Sequence, residues 1–215
     1  RGFDIVTGFY NSAFIAVSVT VLTVYFSMLF AYAIHVYDFK GKKWLYGLVL
    51  VLCMIPTQVG VIGFYKYMSM LHLTNSYIPL IVPAIAAPSS IFFAKQYLES
   101  AIVRDLIDSA RIDGCSEIGI YNRIIMPIAK PGAFTMGIFA FVGTWNNFFT
   151  PFIMISKMKL YTLPMLVQTL RGDVYRTEYG SIYLGLAVTI VPVIVVYMLF
   201  SRYIVNGIAM GAVKE

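Results

Sequence analysis

Residues 5–34 read IVTGFYNSAFIAVSVTVLTVYFSMLFAYAI and contain no Asp, Glu, Lys or Arg. A helix that crosses the hydrocarbon core of a bilayer needs about 20 apolar residues. A charged side chain at the centre of such a helix costs roughly 2.5–3.5 kcal/mol on insertion scales. This stretch therefore predicts a membrane-spanning α-helix near residues 9–36.

Charge-free stretches of spanning length recur along the rest of the chain, at residues 44–65, 67–94, 131–156 and 179–201. They predict four more spans, near 44–65, 77–97, 132–155 and 181–201. Of the 215 residues, 60% are hydrophobic and only 12% are charged, whereas soluble domains carry about 25% charged residues. The sequence predicts an all-α, polytopic membrane helix bundle, and its composition excludes a disordered chain, a coiled coil and an ordinary soluble enzyme.

The basic residues predict how the chain is oriented in the membrane. If the five spans alternate, ten of the 16 Lys and Arg residues lie on one side, in segments 38–43, 95–130 and 202–215. Lys and Arg concentrate in cytoplasmic loops, so we expect residues 98–131 and the tail 202–215 to be cytoplasmic. The segments 1–8, 66–76 and 157–180 are then predicted to lie outside.

The predicted cytoplasmic segment 98–131 is charged but strongly patterned. Residues 99–112 place apolar side chains on one face of a helix, at Ile102, Val103, Leu106, Ile107 and Ala110. Charges spaced three or four residues apart predict weak Arg104–Asp108 and Asp108–Arg111 pairs. Gly114 is expected to end this helix. The pattern fits either a helical hairpin on the membrane surface or a docking element for a cytoplasmic partner.

A second short helix is expected after Gly114. Its apolar side would comprise Ile118, Tyr121, Ile124 and Ile125, and Pro127 would break it.

The same segment carries a family signature. It resembles the EAA loop of ABC importer permeases, which has the form E-A-A, three residues, G, nine residues, I, two residues, P. Every spacing fits, with Asp108 in place of Glu and Ser109 in place of the first Ala. The residues that carry this resemblance and its flanks are Asp108, Ser109, Ala110, Arg111, Asp113, Gly114, Ile124 and Pro127.

Three stretches resemble the carbohydrate-uptake branch of that superfamily. They are ARIDGCSEIGIYNRIIMPIAKPG at 110–132, GTWNNF at 143–148 and GAVKE at 211–215. The chain is most similar to the smaller permease of maltose-type transporters, over essentially its whole length. Members of the family have six spans, so the resemblance implies a single permease domain over residues 1–215 that lacks one N-terminal span here.

The resemblance implies several partner proteins with different roles. An extracytoplasmic solute-binding protein would deliver sugar to a cavity between this subunit and a second, related permease. Two cytoplasmic ATPase subunits would bind ATP and Mg²⁺, and the EAA helix would couple their closure to the spans. The tail residues Gly211, Ala212, Val213 and Lys214 would also reach the ATPases. The substitution Gly114→Asp is then expected to uncouple ATP hydrolysis from transport.

Catalytic and cofactor-binding patterns are absent from the sequence. A P-loop would need Ser or Thr where Lys43 stands and Gly where Val36 stands. Neither HExxH nor GxSxG occurs, and the two histidines and two cysteines have no metal-ligand spacing. We therefore expect no enzyme activity, no metal site and no bound cofactor in this chain itself, and no nucleic-acid partner.

Polar residues inside the predicted spans are candidates for the translocation pathway. Thr57 and Gln58 follow Pro56, and Asn146 and Asn147 follow Trp145. Prolines that interrupt spans free backbone carbonyls, and such breaks recur around substrate sites in transporters. The alternative is that these amides only hydrogen-bond between helices, for about 0.6–2 kcal/mol each. The second permease could also hold most of the sugar.

The sequence thus predicts an importer permease in a bacterial or archaeal plasma membrane, surrounded by lipid, for a carbohydrate and most specifically an oligosaccharide. One alternative is an importer for a non-sugar solute, such as a polyamine or an amino acid. The alternative from another class is an intramembrane lipid-modifying enzyme, which would act on lipid without ATPase partners.

Overall fold

The computed structural model describes the backbone of residues 4–171 and 179–212, and the side chains of 4–169, 179, 180 and 182–201. Every regular element in these ranges is helical, so the all-α prediction is confirmed. The α-helices are α1 (Ile5–Val36), α2 (Lys42–Met54), α3 (Val61–Met70), α4 (Ile78–Ile81), α5 (Pro88–Ala101), α6 (Arg104–Ile112), α7 (Glu117–Ile120), α8 (Met126–Ile128), α9 (Lys130–Trp145), α10 (Phe149–Met154), α11 (Leu163–Arg171) and α12 (Tyr179–Ala212). A 3₁₀ turn over Val82–Ile85 follows α4, a π turn over Tyr121–Ile125 joins α7 to α8, and a second 3₁₀ turn covers Met158–Leu160.

Three helical runs are long and apolar enough to cross a bilayer: Ile5–Val36, Ile78–Ala101 and Ile182–Ser201. A fourth candidate is the pair Glu117–Ile128 and Lys130–Trp145, which is bent by 82°. Of this pair, only the second helix overlaps the span predicted near residues 132–155. The multi-pass architecture predicted from the charge-free stretches is confirmed.

The predicted span at 44–65 is divided in the structure. Helix α2 ends at Met54 and α3 begins at Val61, and Pro56 lies in the intervening stretch. Ile55 takes an extended conformation (φ −81°, ψ 118°), as expected for a residue that precedes proline. A charge-free stretch therefore does not guarantee a continuous helix.

Two of the segments predicted to lie outside contain helix. Helix α3 continues to Met70, into the 66–76 segment, and α11 occupies Leu163–Arg171 within the 157–180 segment. Leu163, Met165 and Leu166 of α11 are buried. Helix α11 thus buries one apolar face, although charged residues lie on both sides of it in the sequence.

The chain forms two compact units. The first comprises described residues within 1–20, 56–84 and 140–199. In it Trp145 of α9 packs with Ala16 of α1 and Leu163 of α11, and a second cluster centres on Met154, Ile155 and Met165. The Ser12 hydroxyl of α1 accepts a hydrogen bond from the Leu163 backbone N–H at 2.8 Å, which fixes the start of α11 on α1.

The second unit comprises described residues within 21–55, 85–139 and 200–215. A single buried cluster joins the end of α1, helix α5, helix α6 and the helical segment that runs from Glu117 to Ile128. Its fully buried members include Met28, Leu98, Ile107, Ile120 and Tyr121. A Cβ added to Gly132 would lie 2.6 Å from the Tyr97 ring, so glycine is required where α9 crosses α5.

Candidate functional site

Helix α6 begins later than the sequence predicts. Ile102 and Val103 are extended, with φ/ψ of −120°/122° and −92°/138°. The predicted continuous helix 99–112 is therefore wrong, and α5 and α6 are separate. The only local signal is that both residues are β-branched, which weakly disfavours helix.

The end of α6 follows the prediction for Gly114. This glycine has φ +79°, its N–H donates to the Arg111 carbonyl at 3.0 Å, and the Cys115 N–H donates to the Ala110 carbonyl at 3.0 Å. These two bonds define a Schellman motif, which needs a left-handed residue at the position of Gly114. Glycine thus fixes where α6 stops.

The predicted apolar face of α6 is only partly buried. Ile107 and Ala110 are inserted in the core of the second unit, whereas Val103 and Leu106 are exposed. Ile112 is 86% exposed. Helix α6 is therefore held in the core by two side chains, Ile107 and Ala110. Its other apolar side chains, together with Asp105 and Asp108, are exposed.

The second helical segment begins at Ser116, whose hydroxyl accepts a hydrogen bond from the Gly119 N–H at 3.2 Å. It ends at Ile128 and bends by 82° into α9, so the break predicted at Pro127 lies one residue further along the chain. The Met126 N–H donates to the Tyr121 carbonyl five residues earlier, and this π turn places Pro127 at the start of a new α turn, where proline is tolerated.

The buried side of this segment also differs from the prediction. Tyr121 and Ile125 are buried as expected, but Ile118 is exposed and Ile120 takes its place in the core. The π turn changes the rotation per residue, so a 3.6-residue period misassigns the face.

Arg111 connects the two helical segments of the loop. Its Nε donates to Glu117 Oε1 at 2.7 Å and its Nη1 donates to Asp108 Oδ1 at 3.0 Å. The predicted Asp108–Arg111 pair is therefore present. The hydrogen bond from Arg111 is the main cause that holds the pKa of the Glu117 carboxyl below its ordinary value.

Arg104 does not pair with Asp108 as predicted. Its Nη1 donates to Asp38 Oδ2 at 3.3 Å and its Nη2 donates to the His35 carbonyl at 3.2 Å. Hydrogen bonds from Lys42, followed by those from Arg104, keep the pKa of Asp38 low. The start of α6 thus contacts the end of α1 and the turn that follows it.

A second candidate site lies in the first unit. A cavity of about 580 Å³ is lined by Thr57, Gln58, Gly60, Val61, Phe64, Pro83, Gly143, Asn147, Phe149 and Thr150. A neighbouring cavity of about 200 Å³ shares Phe64, Pro83, Asn147 and Thr150. Three of the four predicted pathway residues, Thr57, Gln58 and Asn147, therefore meet around one space.

This arrangement arises from two helix interruptions, one between α2 and α3 and one between α9 and α10. Helix α9 ends at Trp145, and the Asn147 Oδ1 accepts a hydrogen bond from the Thr150 N–H at 3.2 Å at the start of α10. Asn146 is exposed and is not among the residues that line the cavity. Thr150, which the sequence prediction missed, precedes Pro151, and that pairing is the only signal that could have identified it.

The family model for the binding-protein-dependent transport system inner membrane component matches residues 23–210. The chain belongs to this permease family. The family predicted from the EAA-like loop is confirmed.

The relatives of this permease include permease proteins of sugar transport systems. It is 38% identical over 206 residues to the arabinooligosaccharides transport system permease protein AraQ of Bacillus subtilis, covering 96% of this chain and 73% of the relative. It is 31% identical over 207 residues to the trehalose/maltose transport system permease protein MalG of Thermococcus litoralis, covering 95% and 74%.

A solved structure shares the fold of the permease. A chain of a bacterial ABC transporter involved in the import of the acidic polysaccharide alginate matches with a TM-score of 0.82 and 21% identity. The match covers 94% of this permease and 76% of that chain. The family assignment makes the permease a multi-pass inner membrane protein and a transport subunit.

The predicted tail residues lie at and beyond the end of the described part of the chain. Gly211 and Ala212 end α12, and their side chains are not described, while Val213 and Lys214 lie outside the described residues. Their expected contact with ATPase subunits stays a prediction.

Proposed function

We propose that this permease is one of two related transmembrane subunits of an ATP-driven importer for a carbohydrate, specifically an oligosaccharide. An extracytoplasmic solute-binding protein delivers the sugar, and two ATPase subunits bind ATP and Mg²⁺ and supply the energy. The observation that carries the proposal is helix α6, which is fastened to the core at Ile107 and Ala110 and exposed elsewhere.

The outward side of α6 suits insertion into a groove on an ATPase subunit. Short helices with exposed apolar anchors bind in apolar grooves, and Leu106 and Ile112 are such anchors. Asp105 and Asp108 add two exposed carboxylates for basic partner groups. In this arrangement the loop 98–131 and the tail 202–215 are cytoplasmic, in keeping with their Lys and Arg content.

The cavity of the first unit is our candidate for part of the sugar pathway. Thr57, Gln58 and Asn147 bring hydroxyl and amide groups to a space that also has the aromatic ring of Phe64. Sugar hydroxyls need donors and acceptors of this kind, and specificity in such pockets depends on a few well-placed polar groups. We retain Asn146 as a candidate only for a state in which α9 and α10 rearrange.

The importer hypothesis is tested by purifying the tagged permease from its native membrane in mild detergent. Mass spectrometry should identify a second permease and a soluble ATPase with a P-loop. Ile112→Glu should reduce recovery of the ATPase, because a carboxylate would have to be buried in the groove. Phe39→Glu, which adds the same charge to an exposed side chain outside α6, should not. Repeated recovery of the intact permease alone would contradict the importer assignment.

The pathway is tested by Gln58→Ala and Asn147→Ala in reconstituted complexes. Each is expected to raise KM for the transported sugar about two- to tenfold, since a hydrogen bond contributes about 0.5–1.5 kcal/mol. Arabinooligosaccharides, trehalose and maltose would be the sugars assayed. Thr20→Val is the matched control, because the Thr20 hydroxyl bonds the Ala16 carbonyl within α1. Unchanged KM in both alanine variants would remove these residues from the pathway.

A further inference from the structure

Glu117 is the meeting point of three parts of the second unit. Its carboxylate accepts hydrogen bonds from the Tyr37 hydroxyl at 2.5 Å, from the Tyr32 hydroxyl at 3.2 Å and from Arg111 Nε at 2.7 Å. Tyr32 belongs to α1, Tyr37 follows the end of α1, and Arg111 belongs to α6. One carboxylate therefore links α6 to α1 across more than 70 residues of sequence.

The geometry of this link is stronger than that of an isolated surface pair. Arg111 approaches Glu117 with two nitrogens, Nε and Nη2, at 2.7 and 3.3 Å, and paired contacts of this kind fix orientation as well as distance. The guanidinium also lies 5.7 Å from the centre of the Tyr37 ring. Beneath the network, Tyr32 is buried and contacts the Tyr121 ring at 5.7 Å.

Apolar contacts of Ile107 and Ala110 hold α6 in a core that α1 and α5 share. The other polar connections between α6 and the spans are weaker than the network at Glu117. The covalent link to α5 is the extended pair Ile102–Val103, which interrupts the helix between α5 and α6. The Arg104–Asp38 pair is exposed on both partners, at 54% and 72%, and exposed pairs contribute little. Among the polar contacts, the hydrogen-bond network at Glu117 is therefore the strongest connection between α6 and α1.

We propose that Glu117 is a positioning residue that fastens α6 to the end of α1, so that displacement of α6 by an ATPase subunit moves α1 with it. The proposal rests on the proposed function, because it requires α6 to be the docking helix. It assigns α1, which is distant in sequence, and not the adjacent α5, as the span that receives the movement.

The test measures the distance between α6 and α1 in the assembled complex. One spin label is placed at Cys115, which follows the end of α6 and whose N–H bonds the Ala110 carbonyl, and the other at a cysteine that replaces Val21 of α1. Both positions are exposed, and Cys53 is replaced by serine. Distances are recorded without nucleotide and after trapping with MgATP and vanadate. In the otherwise unaltered permease we expect one narrow distance that is the same in both states.

Loss of the network should release α6 from α1. In Glu117→Gln the distance should broaden and shift between the two states, and Tyr37→Phe should give a smaller change. Arg111→Gln combined with Glu117→Gln should be no worse than either alone, as expected for residues that act together. Glu99→Gln is the matched control, because Glu99 pairs with Lys95 within α5 and should leave the distance unchanged.

The outcomes separate the two proposals. An unchanged, narrow distance in Glu117→Gln, with ATPase subunits still bound, would overturn the role of Glu117. If Glu117→Gln does not fold, Tyr37→Phe decides in the same way, since it removes only one hydroxyl. Failure of the unaltered permease to recover any ATPase would instead overturn the proposed function.

Discussion

Replacing Gly114 with valine is expected to lower sugar transport by at least tenfold while the permease remains in the membrane. Gly114 has φ +79°, a conformation that costs about 1–2 kcal/mol for residues with a side chain and more for β-branched ones. An added Cβ would meet no atom within 4 Å, so the effect comes from the backbone. The Schellman bonds at Arg111 and Ala110 would be lost, and α6 would no longer end in its docking conformation.

Transport and ATP hydrolysis by the reconstituted complex measure this effect separately. Gly114→Asn is the control for strain, because asparagine tolerates the left-handed region, and it should retain most transport. Gly114→Asp fits the same backbone as asparagine but adds a carboxylate, so any loss beyond that of Gly114→Asn reports on the docking surface. Equal transport by Gly114→Val and the unaltered permease would refute the assignment of this turn to coupling.

Replacing Trp145 with alanine is expected to have the largest effect on stability, about 3–5 kcal/mol of the free energy of unfolding. Trp145 is 2% exposed. Its ring stacks on Phe141 at 5.7 Å and meets Phe9 edge-on at 5.5 Å. Packing is the main force between helices in lipid, where apolar side chains gain little from leaving the solvent, so the cavity left by alanine would not be compensated.

Unfolding in mixed detergent micelles gives this free energy. Trp145→Phe should cost less, because it keeps an aromatic ring and loses the hydrogen bond from Nε1 to the Thr189 carbonyl, at 2.9 Å. Phe139→Ala is the control on the same helix, since Phe139 is exposed. A change of under 1 kcal/mol for Trp145→Ala would contradict this packing role and, with it, the fixed position of Asn147 two residues later.

The two sites differ in how far local patterns reveal them. Gly114 was predictable because only its own backbone conformation is at issue, and the spacing of the EAA-like loop identified the family. For the cavity, the sequence predicted only individual polar residues, which follow Pro56 and Trp145. Nothing in the sequence shows that Gln58 and Asn147, 89 positions apart in the chain, line the same space.

Hydrophobic length, glycine conformation and motif spacing are local properties, so the membrane class, the helical composition, the end of α6 and the family follow from the order of the residues. The other features depend on tertiary structure. It interrupted the helix at Ile102–Val103, and it placed Ile120 in the core in place of Ile118. It also paired Arg104 with Asp38 and gathered Tyr32, Tyr37 and Arg111 around Glu117. These outcomes depend on which distant surfaces compete for the same side chain, and a local periodicity contains no information on that competition.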